Sequence, residues 1–111
     1  MATMSKWTPD QNPHQARRVG KTLEEMGEAV AVFGNAVAIL ARISIQGLDS
    51  VDPGTGKTNR QRLQDELADV QAQIGCTVLS LGLDQNHMAR RRAEKMRQMG
   101  EWESHFSMPS A

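Results

Sequence analysis

Apolar residues recur every three or four positions along two long stretches of the chain, and this spacing predicts two amphipathic helices. The first is expected from about Thr22 to Ile45, with a stripe of Leu23, Met26, Val30, Phe33, Val37 and Leu40. The second is expected from about Arg60 to Leu81, with a stripe of Leu63, Leu67, Val70, Ile74, Val78 and Leu81. A third, largely basic helix is expected from Asp84 or Asn86 to about Met99. The pattern predicts an all-α fold, an antiparallel helical bundle.

Capping signals predict where the first helix begins. Thr22, followed three residues later by Glu25, resembles a capping box and favours a start there. A start near Gln15, which places Gly20 inside the helix, is the alternative. The 111 residues are expected to form a single domain. Its parts are an N-terminal arm or short helix (1–20), a helical core (21–99) and a loose tail (100–111).

Residues 47–59 are expected to form a loop, because several glycines and Pro53 interrupt the helical pattern. The loop contains GTGKT, which is half of a Walker A phosphate-binding motif. The first glycine of that motif would fall at position 51, which is Val51, and no strand is predicted before it. We therefore expect a turn between helices, either a lid that carries Lys57 over a bound triphosphate or a loop that is disordered without ligand.

Composition and charge narrow the classes of function. Thirteen basic and thirteen acidic residues cancel, which disfavours binding to nucleic acid through a basic surface. The longest unbroken apolar run, residues 36–41, is too short to cross a bilayer. A single cysteine excludes an internal disulfide framework, and the N-terminus has no apolar signal segment. We expect a soluble, cytoplasmic protein that binds neither nucleic acid nor a membrane.

Four acidic residues border the apolar stripes of the two long helices. Glu25 and Glu28 are three residues apart on the first helix, and Glu66 and Asp69 are three apart on the second. Because residues at this spacing share a helix face, each pair can converge on one point. Packed antiparallel, the helices would gather four carboxylates around one cavity, where a divalent cation relieves their repulsion. All-oxygen ligation favours Mg²⁺, with Mn²⁺ as the alternative. Solvated surface acids are the simpler interpretation.

The order E-E-x-x-E followed by E-x-x-D resembles the MazG-like all-α nucleoside triphosphate pyrophosphohydrolases, which include the dimeric dUTPases and dCTP pyrophosphatases. Here the motifs read Glu24-Glu25-Met26-Gly27-Glu28 and Glu66-Leu67-Ala68-Asp69, within a resemblance that spans residues 21–99. The resemblance implies that Glu25, Glu28, Glu66 and Asp69 bind Mg²⁺. It also implies hydrolysis of a (d)NTP at the α-phosphorus to nucleoside monophosphate and pyrophosphate. The 37 residues between the motifs exceed the usual separation, mostly through the 47–59 loop.

Two residues beside the first motif are candidates for roles in that reaction. A carboxylate outside the metal set can orient the attacking water or accept its proton, and Glu24 is the candidate. Lys21 lies four residues before Glu25 and shares its helix face. We expect Lys21 either to contact a phosphate or to form an ion pair with Glu25.

Further candidates for substrate contacts lie at both ends of the chain. His14 and Arg17 match an H-x-x-R element that lies near the nucleotide in dCTP pyrophosphatase-like sequences. Lys95 matches a lysine that follows the second motif in the family and reaches phosphates. Trp7 is a candidate for stacking on a base, or else for covering the core or a subunit interface.

Three helices around a charged cavity give a small core, so the missing walls are expected to come from another subunit. The predicted protein is therefore a homodimer or homotetramer that acts on a small-molecule (d)NTP. The alternative is a non-enzymatic helical interaction or regulatory protein that associates through the same apolar stripes. In that case the acids are solvated and no metal is needed.

Overall fold

The computed structural model describes residues 12–107, with side chains through Glu103. Three helices make up most of this range: α1 (Pro13–Gln46), α2 (Asn59–Leu81) and α3 (Gln85–Ser107). No strand occurs between residues 12 and 107, so the predicted all-α fold is confirmed. The chain divides after Leu81 into two compact units, of which the first contains α1 and α2 and the second contains α3.

Helix α1 begins earlier than the Thr22 capping box predicts. The N-cap is Asn12, whose side chain accepts hydrogen bonds from the backbone N–H of His14 and Gln15 at 3.0 and 3.2 Å. Pro13 occupies the first turn, where its missing N–H has no cost. Thr22 is buried in mid-helix, and its hydroxyl donates to the carbonyl of Arg18 at 2.8 Å. The start of the helix predicted from the capping box is therefore wrong, and residues 13–20 belong to α1 rather than to an N-terminal arm.

A closed hairpin connects α1 to α2. Gly47 ends α1 with φ at 90°, a conformation that favours glycine, and its N–H donates to the carbonyl of Ile43. Val51 and Thr58 form an isolated antiparallel bridge, and the amide of Asp52 donates to the carbonyl of Lys57. The predicted loop is thus a compact turn held by its own backbone hydrogen bonds.

Asn59 joins the two ends of this hairpin. It is fully buried, and its side-chain amide donates to the carbonyl of Gly47 at 3.1 Å and to Oε1 of Gln46 at 3.4 Å. Because these bonds tie the first residue of α2 to the last turn of α1, they fix how the two helices align along their length.

The core between α1 and α2 is small. Its buried apolar residues are Ala29, Ala36 and Ile39 on α1 and Val78 on α2. Alanine at two of the α1 positions lets the helices approach closely but removes little apolar surface from water. A single chain therefore gains only a modest hydrophobic contribution from this pair of helices.

Five large apolar residues of α1 lie on one face and stay more than half exposed. This outer apolar face consists of Leu23, Val30, Phe33, Val37 and Leu40. By length and composition α1 could cross a membrane, since an 18-residue window of it has a mean hydropathy of 1.6. Only 17% of that window is buried in the described structure. The core helix of a soluble protein passes the same test. In α1, however, a single chain leaves most of this apolar surface uncovered.

Helix α3 begins where the sequence predicts and ends later. Asp84 caps it by accepting a hydrogen bond from the amide of His87 at 3.0 Å. The helix continues to Ser107, past the expected end at Met99, so residues 100–107 are not a loose tail. Arg97 and Glu101 form an i,i+4 ion pair at 2.8 Å across Gly100. A single glycine costs a helix only about 1 kcal/mol, which the surrounding helix formers offset.

Candidate functional site

The two acidic pairs lie on the helices that pack together, and each pair shares a helix face as predicted. Glu25 on α1 and Glu66 on α2 are half-buried, whereas Glu28 and Asp69 are exposed. None of these four side chains makes a hydrogen bond or ion pair within residues 12–103. Their carboxylate oxygens are therefore available to a ligand.

Basic candidates continue along the same face of α1. Because α1 starts at Pro13, His14, Arg17 and Lys21 fall at helical spacing before Glu25 and Glu28, at successive steps of three or four residues. All three are exposed. Arg17 donates only a long 3.4 Å bond to the carbonyl of Pro13. Lys21 makes no ion pair with Glu25, so of its two expected roles only the contact with a phosphate stays a prediction.

The remaining candidates stand apart from these groups. Glu24 is exposed on α1 and, like its neighbour Glu25, has no ion-pair partner among the described side chains. Lys95 is exposed on α3, in the second unit. Trp7 lies outside the described residues, so its predicted contact with a base stays a prediction.

The structure does not bring the four metal candidates together within one chain. In the region from residue 12 to residue 103, no three His, Cys, Asp or Glu side chains lie close enough to hold one metal ion. Glu66 instead lies opposite the later part of α1, where it shares a cavity with Asn35, Ala38 and Ile39. Further along, Met26 and Ala29 of α1 face Val70 and Ile74 of α2 across an apolar groove.

The alignment of the helices explains why the acids are apart. Glu28 lies 18 residues before Gln46, but Glu66 lies only seven residues after Asn59. Since the ends of the helices are tied together, Glu28 and Glu66 sit at levels about 16 Å apart along the helix axis, at 1.5 Å per residue. The expectation of four carboxylates around one cavity fails for a single chain because the hairpin fixes this alignment.

The chemistry of these residues therefore suits Mg²⁺, but their arrangement in one chain does not. Hard, unpaired carboxylates are the donors that Mg²⁺ prefers. One chain, however, offers them as two separate pairs, each with too few oxygens to enclose the ion without water or further ligands.

Asp52 in the hairpin is surrounded by donors that the sequence analysis did not single out. Its Oδ1 accepts from Nη1 of Arg42 at 3.0 Å and lies 3.8 Å from Nη1 of Arg62. Its Oδ2 accepts from the amide and the hydroxyl of Thr55, both at 3.0 Å. The Thr55 hydroxyl lowers the pKa of Asp52 most, burial opposes it, and the charges of Arg62 and Arg42 add to the lowering. The one sequence signal for this cluster is Arg42, the only charge between residues 29 and 46.

The same hairpin does not form a phosphate-binding loop. A P-loop presents free backbone N–H groups to phosphate. Here the amide of Thr55 donates to the Asp52 side chain, Gly56 to the carbonyl of Asp52, Lys57 to the Thr55 hydroxyl and Thr58 to Oε1 of Gln61. Four of the five GTGKT amides, all but that of Gly54, thus donate within the turn, in agreement with the prediction that this segment is a turn.

The contacts of Lys57 also bear on whether this segment is a P-loop, and its substitution tests the point. Its Nζ is 2.9 Å from Oδ2 of Asp65, and the hydrogen bond and charge of that carboxylate raise the pKa of Lys57. If the chain hydrolyses a nucleotide, Lys57→Ala is expected to cause at most a severalfold rise in the apparent KM, because an exposed ion pair contributes little to the fold. Steady-state kinetics check this, with circular dichroism as the control for folding. Complete loss of hydrolysis by a folded variant would restore the P-loop.

Comparison of the chain with protein-family models, with curated proteins and with solved structures finds no match.

Proposed function

We propose that this protein is a Mg²⁺-dependent nucleoside triphosphate pyrophosphohydrolase, which cleaves a (d)NTP to a (d)NMP and pyrophosphate. One observation carries the proposal: E-E-x-x-E and E-x-x-D lie on two helices that pack against each other, and none of the motif carboxylates has a partner in the described part of the chain.

In this proposal Glu25, Glu28, Glu66 and Asp69 hold the cation. A bound Mg²⁺ supplies charge neutralisation at the phosphate oxygens. Glu24 orients the water that attacks the α-phosphorus, since a carboxylate without a partner can accept a proton. The pyrophosphate then leaves, and the incoming oxygen stays on the monophosphate.

The basic residues along the same face of α1 have a matching role. Lys21 lies one turn before Glu25, Arg17 lies one further turn away, and His14 lies two further turns away. These exposed groups donate to the outer phosphates or to the nucleoside. Their donors suit an anionic ligand because no carboxylate neutralises them in the described structure.

Assembly is part of the proposal. The outer apolar face of α1 needs cover, and the acids of one chain lie at two levels. We propose that a second copy covers this face in a homodimer or homotetramer and completes the cation site. A non-enzymatic interaction protein is the second candidate function, and the exposure of the same face favours it.

Product analysis tests the reaction. The eight common NTPs and dNTPs are incubated with the protein and Mg²⁺, and the phosphorus products are resolved by ³¹P NMR. At least one nucleotide is expected to give monophosphate and pyrophosphate. Thermal melting with and without Mg²⁺ distinguishes the two candidate functions, because only the enzyme is stabilised by a cation that binds its folded state. Absence of turnover together with an unchanged melting temperature would favour the interaction protein.

A further inference from the structure

A cavity of about 300 Å³ lies between α1 and α2 at the end of the pair nearest the hairpin. Its charged lining consists of two guanidinium groups, from Arg42 and Arg62, and one carboxylate, from Glu66. Asn35 adds an amide, which both donates and accepts hydrogen bonds. The charges of the two arginines are balanced by Glu66 and by Asp52, which lies against both guanidinium groups, so the cavity offers hydrogen-bond donors at a size that admits a small ligand.

Arg62 has unused donors in this cavity. Its Nη1 is buried without a hydrogen-bond acceptor, so only Nε and Nη2, which are not fully buried and form no hydrogen bond in the described structure, can donate to a ligand in the cavity. The nearest carboxylate oxygen is Oδ1 of Asp52, at 3.8 Å, which is beyond hydrogen-bond distance. Glu66 lies one turn away on the same helix, yet no ion pair joins it to Arg62. A buried guanidinium nitrogen without an acceptor is unusual, because buried polar groups are nearly always paired.

Asp52 cannot supply the missing acceptor without giving up other bonds. Its Oδ1 already accepts from Arg42, and its Oδ2 accepts twice from Thr55. Arg42 commits one nitrogen to this contact, and its side chain also lines the cavity. Two planar donor forks therefore border one space, and together they match the oxygens of a phosphate group better than a single carboxylate.

We propose that this cavity binds a pyrophosphoryl group, with Arg62 and Arg42 donating hydrogen bonds to its oxygens. Pyrophosphate carries enough oxygens to satisfy both forks, and a cavity of about 300 Å³ accommodates it. Glu66 repels a bare anion, so the group enters with a divalent cation. The identification of this group as part of a nucleotide rests on the proposed function. The binding of pyrophosphate by the two arginines does not.

Calorimetric titration with inorganic pyrophosphate in the presence of Mg²⁺ tests the proposal without turnover. Arg62→Gln is expected to weaken binding roughly 10-fold or more, because it removes a charged hydrogen-bond donor. Arg62→Lys keeps the charge but loses the fork, so an intermediate loss is expected. Arg60→Gln is the matched control: it removes the same charge two residues away, where Arg60 pairs with exposed Asp49 at 3.0 Å outside the cavity.

NMR of the wild-type chain provides a measurement that does not depend on a variant's folding. Pyrophosphate is expected to shift the Nε–Hε resonance of Arg62 and to leave that of Arg60 unchanged. No binding by the wild type, or equal weakening by Arg60→Gln and Arg62→Gln, would overturn the proposal.

The outcomes also separate this proposal from the proposed function. Pyrophosphate binding that depends on Arg62, in a protein that hydrolyses no nucleotide, would support the cavity and contradict the enzyme. If the wild type hydrolyses a nucleotide and Arg62→Gln binds pyrophosphate as tightly as the wild type, the proposed pyrophosphate site is contradicted and the proposed function is not.

Discussion

Replacement of any one of the four metal candidates is expected to lower (d)NTP hydrolysis by roughly 100-fold or more, because a bound metal ion supplies several kcal/mol of charge stabilisation. The substitutions are Glu25→Gln, Glu28→Gln, Glu66→Gln and Asp69→Asn. Each preserves the size of the side chain and removes one negative charge. The rate of pyrophosphate release at saturating Mg²⁺ is the measurement. A loss of this size at all four positions requires that the two separate pairs act on one reaction.

The metal-free variants are expected to behave differently in stability. Removing a carboxylate from an i,i+3 pair relieves like-charge repulsion and breaks no hydrogen bond or ion pair in the described chain. Melting temperatures in a chelating buffer should therefore match or exceed that of the wild type. Activity that falls while metal-free stability holds identifies a ligand role, since a structural residue would lose both.

Asp65→Asn is the matched control for this series. It precedes Glu66, and its side chain points about 100° away around the helix. Its ion pair with Lys57 is exposed, with 54% and 59% of the two side chains accessible, so its loss is expected to be nearly silent. Equal sensitivity at Asp65 and Asp69, or release of orthophosphate with nucleoside diphosphate, would exclude the assignment.

The fold was largely predictable because helical periodicity depends on local sequence. The stripes on α1 and α2 place both helices, and the true start of α1 was the stated alternative near Gln15. The capping box failed because Asn12 caps the start of α1 instead, and the Thr22 hydroxyl donates to the carbonyl of Arg18 inside the helix. Helix α3 continues past the predicted end at Met99 because one glycine, Gly100, is tolerated in a run of helix formers.

The candidate site was predictable only residue by residue. Spacing along one helix places Glu25 beside Glu28 and Glu66 beside Asp69, because each pair depends on a single helical turn. The relation between the pairs depends on the hairpin and on the buried Asn59, whose contacts span the connection between the helices. The spacing of residues along one helix carries no information on how that helix aligns with another. For the same reason the Arg42–Asp52–Arg62 cluster was missed.

Wild-type protein is expected to run as a dimer or tetramer in light scattering at micromolar concentration. The outer apolar face of α1 includes Phe33 and Val37, which are 53% and 54% exposed in one chain. Val37→Glu is expected to give a monomer, because a charge buried at a subunit interface costs far more than it does in water. Partition of the wild type into lipid vesicles instead would assign the face to a membrane.

Mixing two inactive variants is the sharpest test of how the acids come together. If a second copy brings Glu66 and Asp69 to the Glu25 and Glu28 of its partner, a mixed dimer of Glu25→Gln and Glu66→Gln chains contains one intact site and one doubly altered site. After unfolding together and refolding, half of the dimers are mixed, so about one quarter of wild-type hydrolysis should return. Each variant refolded alone is the control. If activity does not return although mixed oligomers form, all four acids must act from one chain, which would require α1 and α2 to shift by about 16 Å from the alignment that Asn59 holds.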